Sequence, residues 1–261
     1  MKQYNTLQFN VEEQIGTLTI NRPKALNALN TELMTELIQI LDDIQENQEV
    51  QVLVITGSGE KAFVAGADIK EMADKKAMEG KEFSHLGNKV CKKIANLRQP
   101  VIAAVNGYAL GGGLEIASAC DIRIGSKNAV VGQPEVGLGI IPGFGGTQRL
   151  SRLIGLAKAK ELIYTGKNIK AEEAYEIGIF NHLAEPEKLM EEVYEMAHQI
   201  LKNAPLAVEG AKKAIDKGYE MPIDHALAFE EDIFGLLFDT QDQKDGMQAF
   251  LNKKEAKFNK K

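Results

Sequence analysis

The feature that most constrains this chain is an alternation, through its first two-thirds, of short apolar runs with segments of helical period. Residues 51–55 and 101–105 (Val-Ile-Ala-Ala-Val) lack the polar alternation of a half-exposed strand, so both read as strands covered on two faces. Residues 120–124 and 129–132 are shorter candidates of the same kind. Residues 6–11 and 14–20, separated at Glu12-Glu13, predict a hairpin. Asn30 offers a helix N-cap, after which Leu33, Leu37, Ile40, Leu41 and Ile44 recur at helical spacing. The expectation is an α/β fold with a largely parallel sheet.

Near residue 140 the pattern changes. Residues 148–154, 156–165, 171–177, 186–203, 206–217, 223–238 and 241–257 read as helices, and no strand signal follows residue 200. This predicts a core, residues 1–199, and a helical segment, residues 200–261. About sixty helical residues bury little surface alone, so that segment is expected to pack on the core or on another subunit. Residues 72–89 are charged and weakly periodic, and fit either a helix or a mobile loop over a site. The tail, residues 253–261, reads as a solvated charged end.

Composition removes several function classes. The net charge of −6 argues against nucleic acid as a partner. The two cysteines, Cys91 and Cys120, form no C-x-x-C motif and read as buried reduced thiols, which fits a reducing cytoplasm. The first residues hold no apolar targeting segment, and no run reaches membrane-span length, so a soluble cytoplasmic protein is expected. His85, His182, His198 and His225 share no metal spacing, and no metal site is expected. Neither G-x-S-x-G nor a phosphate-binding Gly-Lys-Ser/Thr is present; Gly143-Phe-Gly-Gly-Thr147 lacks the lysine.

Two stretches carry chemistry. Gly107-Tyr-Ala-Leu-Gly-Gly-Gly-Leu-Glu115 and Gly132-Gln-Pro-Glu135 each end in an acid set among apolar neighbours. Buried carboxylates need a partner or a task, and raised pKa values suit proton transfer near neutrality; each acid fits a salt bridge as well as a catalyst. Three successive glycines weaken regular structure and allow either a close backbone contact with a ligand or tight packing. Small residues at 65–67 would let a ligand approach the Ala67 N–H, while Asp68 also fits a plain helix cap.

Taken together, these segments resemble the crotonase (enoyl-CoA hydratase/isomerase) family. The resemblance covers nearly the whole chain: Asn21-Arg-Pro-Lys-Ala-Leu-Asn-Ala-Leu29, Phe63-Val-Ala-Gly-Ala-Asp-Ile-Lys-Glu-Met72, Ala104-Val-Asn-Gly-Tyr-Ala-Leu-Gly-Gly-Gly-Leu-Glu115, Gly132-Gln-Pro-Glu-Val-Gly-Leu-Gly139, Pro142-Gly-Phe-Gly-Gly-Thr-Gln-Arg-Leu150 and Asp242-Gln-Lys-Asp-Gly-Met-Gln-Ala-Phe250 stand in the family's order. It implies a spiral of ββα repeats with a helical C-terminal trimerisation segment, and a homotrimer or dimer of trimers. It implies an acyl-CoA thioester as substrate, with no separate cofactor, and no nucleic-acid or membrane partner. Ala67 and Gly112 resemble the oxyanion hole. Lys24, Ala65, Asp68, Ile69, Lys70, Phe250 and Lys253 resemble CoA-binding positions. Glu115 and Glu135 resemble the catalytic pair of the short-chain hydratases (3-hydroxybutyryl-CoA dehydratases), enzymes of fatty-acid and butanoate metabolism. Reversible hydration of a short-chain trans-2-enoyl-CoA to the (3S)-3-hydroxyacyl-CoA is therefore the expected activity. A Δ3,Δ2-enoyl-CoA isomerase, which needs one acid, and a non-catalytic binder of acyl-CoA or RNA are the alternatives. Leu114 departs from the pattern where hydratases often carry Cys, and is expected to bear on acyl-chain packing.

Overall fold

The amino-terminal hairpin pairs β1 (Leu7–Glu12) with β2 (Ile15–Ile20), Leu7 facing Ile20 and Glu12 facing Ile15. The structure, a computed structural model, describes residues 4–260. Met1, at the start of the segment read for targeting signals, and Lys261 of the tail lie outside the described residues. The two linking residues, Glu13 and Gln14, have φ of 48° and 67°, the left-handed turn that matches the right-handed twist of a hairpin. Next comes α1 (Thr31–Glu46), capped by the Asn30 side chain, which accepts from the Leu33 N–H at 3.0 Å. Its buried stripe is Leu33, Met34, Leu37, Ile40, Leu41 and Ile44.

Four further strands extend the hairpin sheet: β3 (Val52–Gly57), β5 (Val101–Val105), β7 (Ile122–Ser126) and β10 (His182–Ala184), in the order β1-β2-β3-β5-β7-β10. Every pairing from β2 onward is parallel. β3 and β5 are buried along their whole length, as their unbroken apolar character requires. A second sheet holds four three-residue strands, β4 (Ala62–Val64), β6 (Tyr108–Leu110), β8 (Val130–Gly132) and β9 (Asn168–Lys170). Its first three are parallel and β9 is antiparallel. From β3 to β8, successive strands therefore alternate between the two sheets. β3 leads to β4 and then to α2 (Ile69–Met72) and α3 (Ala77–Ala95), and β5 leads to β6 and then to α4 (Gly112–Ala117). β7 leads to β8 and then, through a 3-10 turn (Pro134–Leu138), to α5 (Gly146–Ile154) and α6 (Leu156–Thr165). This is the expected ββα spiral, and α7 (Ala171–Glu176) lies between β9 and β10.

Residues 72–89, open between helix and loop in sequence, resolve into the end of α2, a short link and the first two-thirds of α3, whose buried stripe is Phe83, Gly87, Val90, Cys91 and Ile94. The helix expected over 186–203 is a 3-10 turn (Pro186–Lys188) followed by α8 (Leu189–Leu201). No described helix is long and apolar enough to cross a membrane.

Contacts divide the chain into two compact units, one of residues up to Leu97 with Val101–Tyr194, the other of Arg98–Pro100 with the residues from Glu195 onward. The second unit contains α9 (Pro205–Gly218), α10 (Ile223–Leu237) and α11 (Gln241–Leu251). Two expectations there are corrected. The last helix ends at Leu251, well short of residue 257, and the tail is tied down rather than simply solvated. The physical cause is Asp242, 1% exposed, whose carboxylate accepts from the Asn259 and Lys260 N–H groups at 2.7 and 2.9 Å. The Lys260 ammonium also pairs with Glu209 at 2.6 Å, and Glu209 takes Arg98 at 2.6 Å.

Candidate active site

Two backbone N–H groups are left over by the local fold. Leu29 bridges to the strand around Ala67, its N–H donating to Gly66 O and its carbonyl accepting from the Asp68 N–H, both at 2.8 Å. In a parallel bridge the partner bonds to the residues flanking the middle one, so the Ala67 N–H points away from Leu29. Gly112 opens α4, where the first N–H groups have no acceptor within the helix. Ala67 and Gly112 line one cavity of about 880 Å³.

The glycines before Glu115 answer to separate demands. Gly111 has φ of 49°, and a Cβ there would stand 2.6 Å from Glu135 Oε1. A Cβ on Gly113 would stand 2.0 Å from the Val64 carbonyl oxygen of β4. Tight packing thus holds at Gly113, which lets α4 lie against a strand, while Gly111 borders the cavity beside Glu135.

All of α4 is buried, Glu115 included at 1% exposure. Its Oε1 accepts from the Phe144 and Gly146 N–H groups at 2.7 and 2.6 Å. Burial pushes this carboxyl up to about 7, while the Gly146 and Phe144 N–H groups and then the Arg149 charge pull it down. Arg149 itself donates to the Phe144 carbonyl at 2.9 Å.

Glu135 sits in the 3-10 turn after β8 and is half-buried. It is less enclosed than its apolar neighbours promised in sequence, because Leu138 and Ile140 are themselves exposed at the cavity's rim. Burial, and then the charge of Glu115, push Glu135 up to about 7 against its own backbone N–H, which pulls it down. Gln133, fully buried, lies beside it; with its nitrogen toward the acid it donates to Oε2 and Oε1 at 3.1 and 3.0 Å. Turned over, the same amide offers its oxygen to a protonated Glu135.

The remaining sequence candidates divide. Ala65 and Ile69 line the cavity, Ile69 half exposed. Asp68 caps α2 through the Lys70 N–H at 3.2 Å and pairs with Arg22 at 3.1 Å, the structural role weighed for it in sequence. Lys24 and Lys70 are exposed and outside the cavity lining. Phe250, on α11, is 83% exposed, and Lys253 follows that helix; both belong to the other unit. Leu114 is corrected: it is fully buried in the hydrophobic core and does not line the cavity, because its apolar side chain packs with the core. Met72, Phe83 and Ser84 line the cavity together with Leu138 and Ile141. Cys91 and Cys120 are buried thiols, and burial pushes Cys91 up to about 12, which leaves it unreactive. The described residues contain no cluster of three or more His, Cys, Asp or Glu placed to share a metal ion.

Sequence reasoning missed Gln133, Arg149 and the N–H groups of Phe144 and Gly146. The first two stand inside quoted motifs, and Gln133 could have been flagged as a buried amide beside an acid. Main-chain donors leave no side-chain signature.

A family model described as enoyl-CoA hydratase/isomerase matches residues 10–261. The chain is 54% identical over 252 residues to the short-chain-enoyl-CoA hydratase of Clostridium acetobutylicum, covering 97% of each protein. It is 51% identical over 255 residues to the crotonyl-CoA hydratase of Syntrophomonas wolfei, covering 98% of each. Among solved structures, an enoyl-CoA hydratase from Bacillus anthracis superposes with a TM-score of 0.96 at 39% identity, covering 98% of this chain and 100% of that one.

Proposed function

This chain belongs to the enoyl-CoA hydratase/isomerase family, and from that premise we propose how its two glutamates add water to a short-chain trans-2-enoyl-CoA. The enzyme is a hydro-lyase, and the reaction runs reversibly to the (3S)-3-hydroxyacyl-CoA. The observation that carries the assignment of roles is the unequal setting of two acids in one cavity.

The Ala67 and Gly112 N–H groups take the thioester oxygen and stabilise the charge that builds there as C3 is attacked. Glu115, with two N–H donors on one oxygen, is the better ionised of the pair and removes a proton from the attacking water. Glu135, raised further by the Glu115 charge, is the better protonated and delivers its proton to C2. Gln133 serves Glu135 in both states by presenting nitrogen to the anion or oxygen to the acid. The chemistry uses water and this chain's own groups, with no separate cofactor.

CoA contacts at Lys24, Ala65, Asp68, Ile69, Lys70, Phe250 and Lys253 belong to the same proposal. Support is strongest for the cavity-lining Ala65 and Ile69. The lysines are free on the surface to meet phosphates, whereas Asp68 is already engaged by Arg22. Residues 200–261 form the trimerisation segment of a homotrimer or stacked pair of trimers. The apolar Ile215, Ile223, Phe234, Leu236 and Phe250 left exposed on α9 to α11 support that assembly. A cytoplasmic location fits two buried thiols.

The deciding experiment follows loss of the conjugated enoyl-thioester absorbance of crotonyl-CoA for the wild type, Glu115→Gln and Glu135→Gln. Rapid loss, slowed by about 10²- to 10⁴-fold in each variant, is expected. Full activity in Glu135→Gln would sink the assignment, and activity in Glu115→Gln on a 3-enoyl-CoA alone would favour an isomerase.

A further inference from the structure

The loop from Pro142 to Gly146 carries both N–H groups that hold Glu115, so whatever orients its peptide planes orients the acid's environment. A peptide unit is planar, with its C=O and N–H on opposite edges, so pinning the carbonyl fixes the direction of the N–H across the same bond. The Gly145 carbonyl accepts from the Gln148 and Arg149 N–H groups at 3.0 and 2.8 Å, which fixes the Gly146 N–H from within α5. The Phe144 carbonyl is taken by Arg149. The Gly143 carbonyl is held from another element: Ser84 Oγ and Asn88 Nδ2 of α3 donate to it at 2.5 and 2.7 Å. On the opposite edge of that peptide, the Phe144 N–H donates to Glu115. Glycine at 143 leaves the torsion that turns this plane unhindered by a side chain, so the two α3 donors set its direction.

We propose that Ser84 and Asn88 are positioning residues that hold the Gly143–Phe144 peptide with its N–H aimed at Glu115. The proposal rests on Glu115 being the base. Both residues line the cavity on the same wall as Met72 and Phe83, so the surface expected to receive the acyl chain also sets the state of the base. The charged or titratable groups that act on Glu115 are Arg149 on α5, Cys91 on α3 and Glu135 in the turn after β8, and Lys75, paired with Glu71, lines the same cavity. Ser84 and Asn88 carry no charge, and they act on Glu115 only through the peptide.

The test compares Ser84→Ala, Asn88→Leu (similar in shape, without a donor) and the double variant with the wild type. The neutral-carboxyl infrared band, isolated by subtracting Glu115→Gln spectra, reports the titration of Glu115 without substrate. In the double variant it is expected to move up by about half to one pH unit. The acid limb of kcat should move with it, and kcat at pH 7 should fall about two- to fivefold. A double variant whose Glu115 band titrates as in the wild type, whatever its melting temperature or kcat, would reduce Ser84 and Asn88 to packing and overturn the proposal. If the wild type fails to hydrate crotonyl-CoA, the reaction assigned above falls, and the infrared titration still decides the role of the peptide.

Discussion

Replacing Glu115 with glutamine should make the protein more stable and nearly inactive, and the gain should depend on pH in a defined direction. Burial raises the Glu115 carboxyl from its ordinary 4.5 to about 7. The folded protein therefore keeps a proton that the unfolded chain releases. With the folded pKa above the unfolded one, this group's contribution to stability is complete below about pH 4.5 and is lost as pH rises to about 7. At roughly 1.4 kcal/mol per pH unit, the loss between pH 5 and pH 8 is on the order of 2 to 3 kcal/mol. Glutamine keeps an oxygen for the Phe144 and Gly146 N–H groups but has no charge to bury. Relief of the Glu115 charge on Glu135 works in the same direction. Urea unfolding at one protein concentration, at pH 5 and pH 8, should show the variant gaining on the wild type by about 2 to 3 kcal/mol between the two conditions. The variant's kcat should drop about 10²- to 10⁴-fold. A stability difference that is the same at both pH values would refute the argument, because the carboxyl would then not be carrying a burial cost at neutrality.

The proposed mechanism needs Glu115 ionised and Glu135 protonated, and both carboxyls are pushed up to about 7, so kcat/KM should peak near pH 7; protonation of Glu115 would lower it on the acid side and ionisation of Glu135 on the alkaline side. A rate that stays flat from pH 5 to 9 would contradict the assignment of the pair. Gly111→Ala should cost at least tenfold in kcat with a modest stability loss of about 1 kcal/mol, because its Cβ meets the Glu135 carboxylate at a left-handed backbone position. Gly113→Ala should instead unfold the protein or lower its melting temperature steeply, because its Cβ meets a strand carbonyl that cannot move aside. Asp242→Ala should release the residues after Leu251 to limited proteolysis and cost about 1 to 3 kcal/mol in unfolding, with kcat on crotonyl-CoA read alongside.

What could be read from the chain followed the range of the forces involved. The hairpin, α1 and the buried strands β3 and β5 are specified locally, by turn residues, by the Asn30 cap and by unbroken apolar runs. The three-residue strands β4, β6, β8 and β9 are too short for any period to show, and exist because each pairs with its counterpart in the next repeat. α3 was ambiguous because its core stripe contains Gly87, which carries no hydrophobic signal. That position is small because the Phe144 ring fills the space, 2.2 Å from where a Cβ would be. The end of α11 is not legible because residues 252–257 are compatible with a helix; the chain turns at Lys253, with φ of 54°, and Asp242 holds residues 259 and 260.

The candidate site shows the same division in a smaller space. Its two carboxylates were legible because acids among apolar residues are costly and therefore conspicuous. Their inequality was not legible, because it comes from main-chain N–H groups at residues 144 and 146, twenty-nine and thirty-one positions away from Glu115. The three glycines make the limit concrete. Sequence can count them and infer that something lies close, but the neighbour of Gly111 is the Glu135 carboxylate and that of Gly113 is the Val64 carbonyl, and only tertiary placement separates the two. One run of identical residues thus joins a demand of the proposed catalytic pair to a packing demand two positions apart. Loss of activity at Gly111 and loss of the fold at Gly113 are for that reason expected to come apart, two residues from each other.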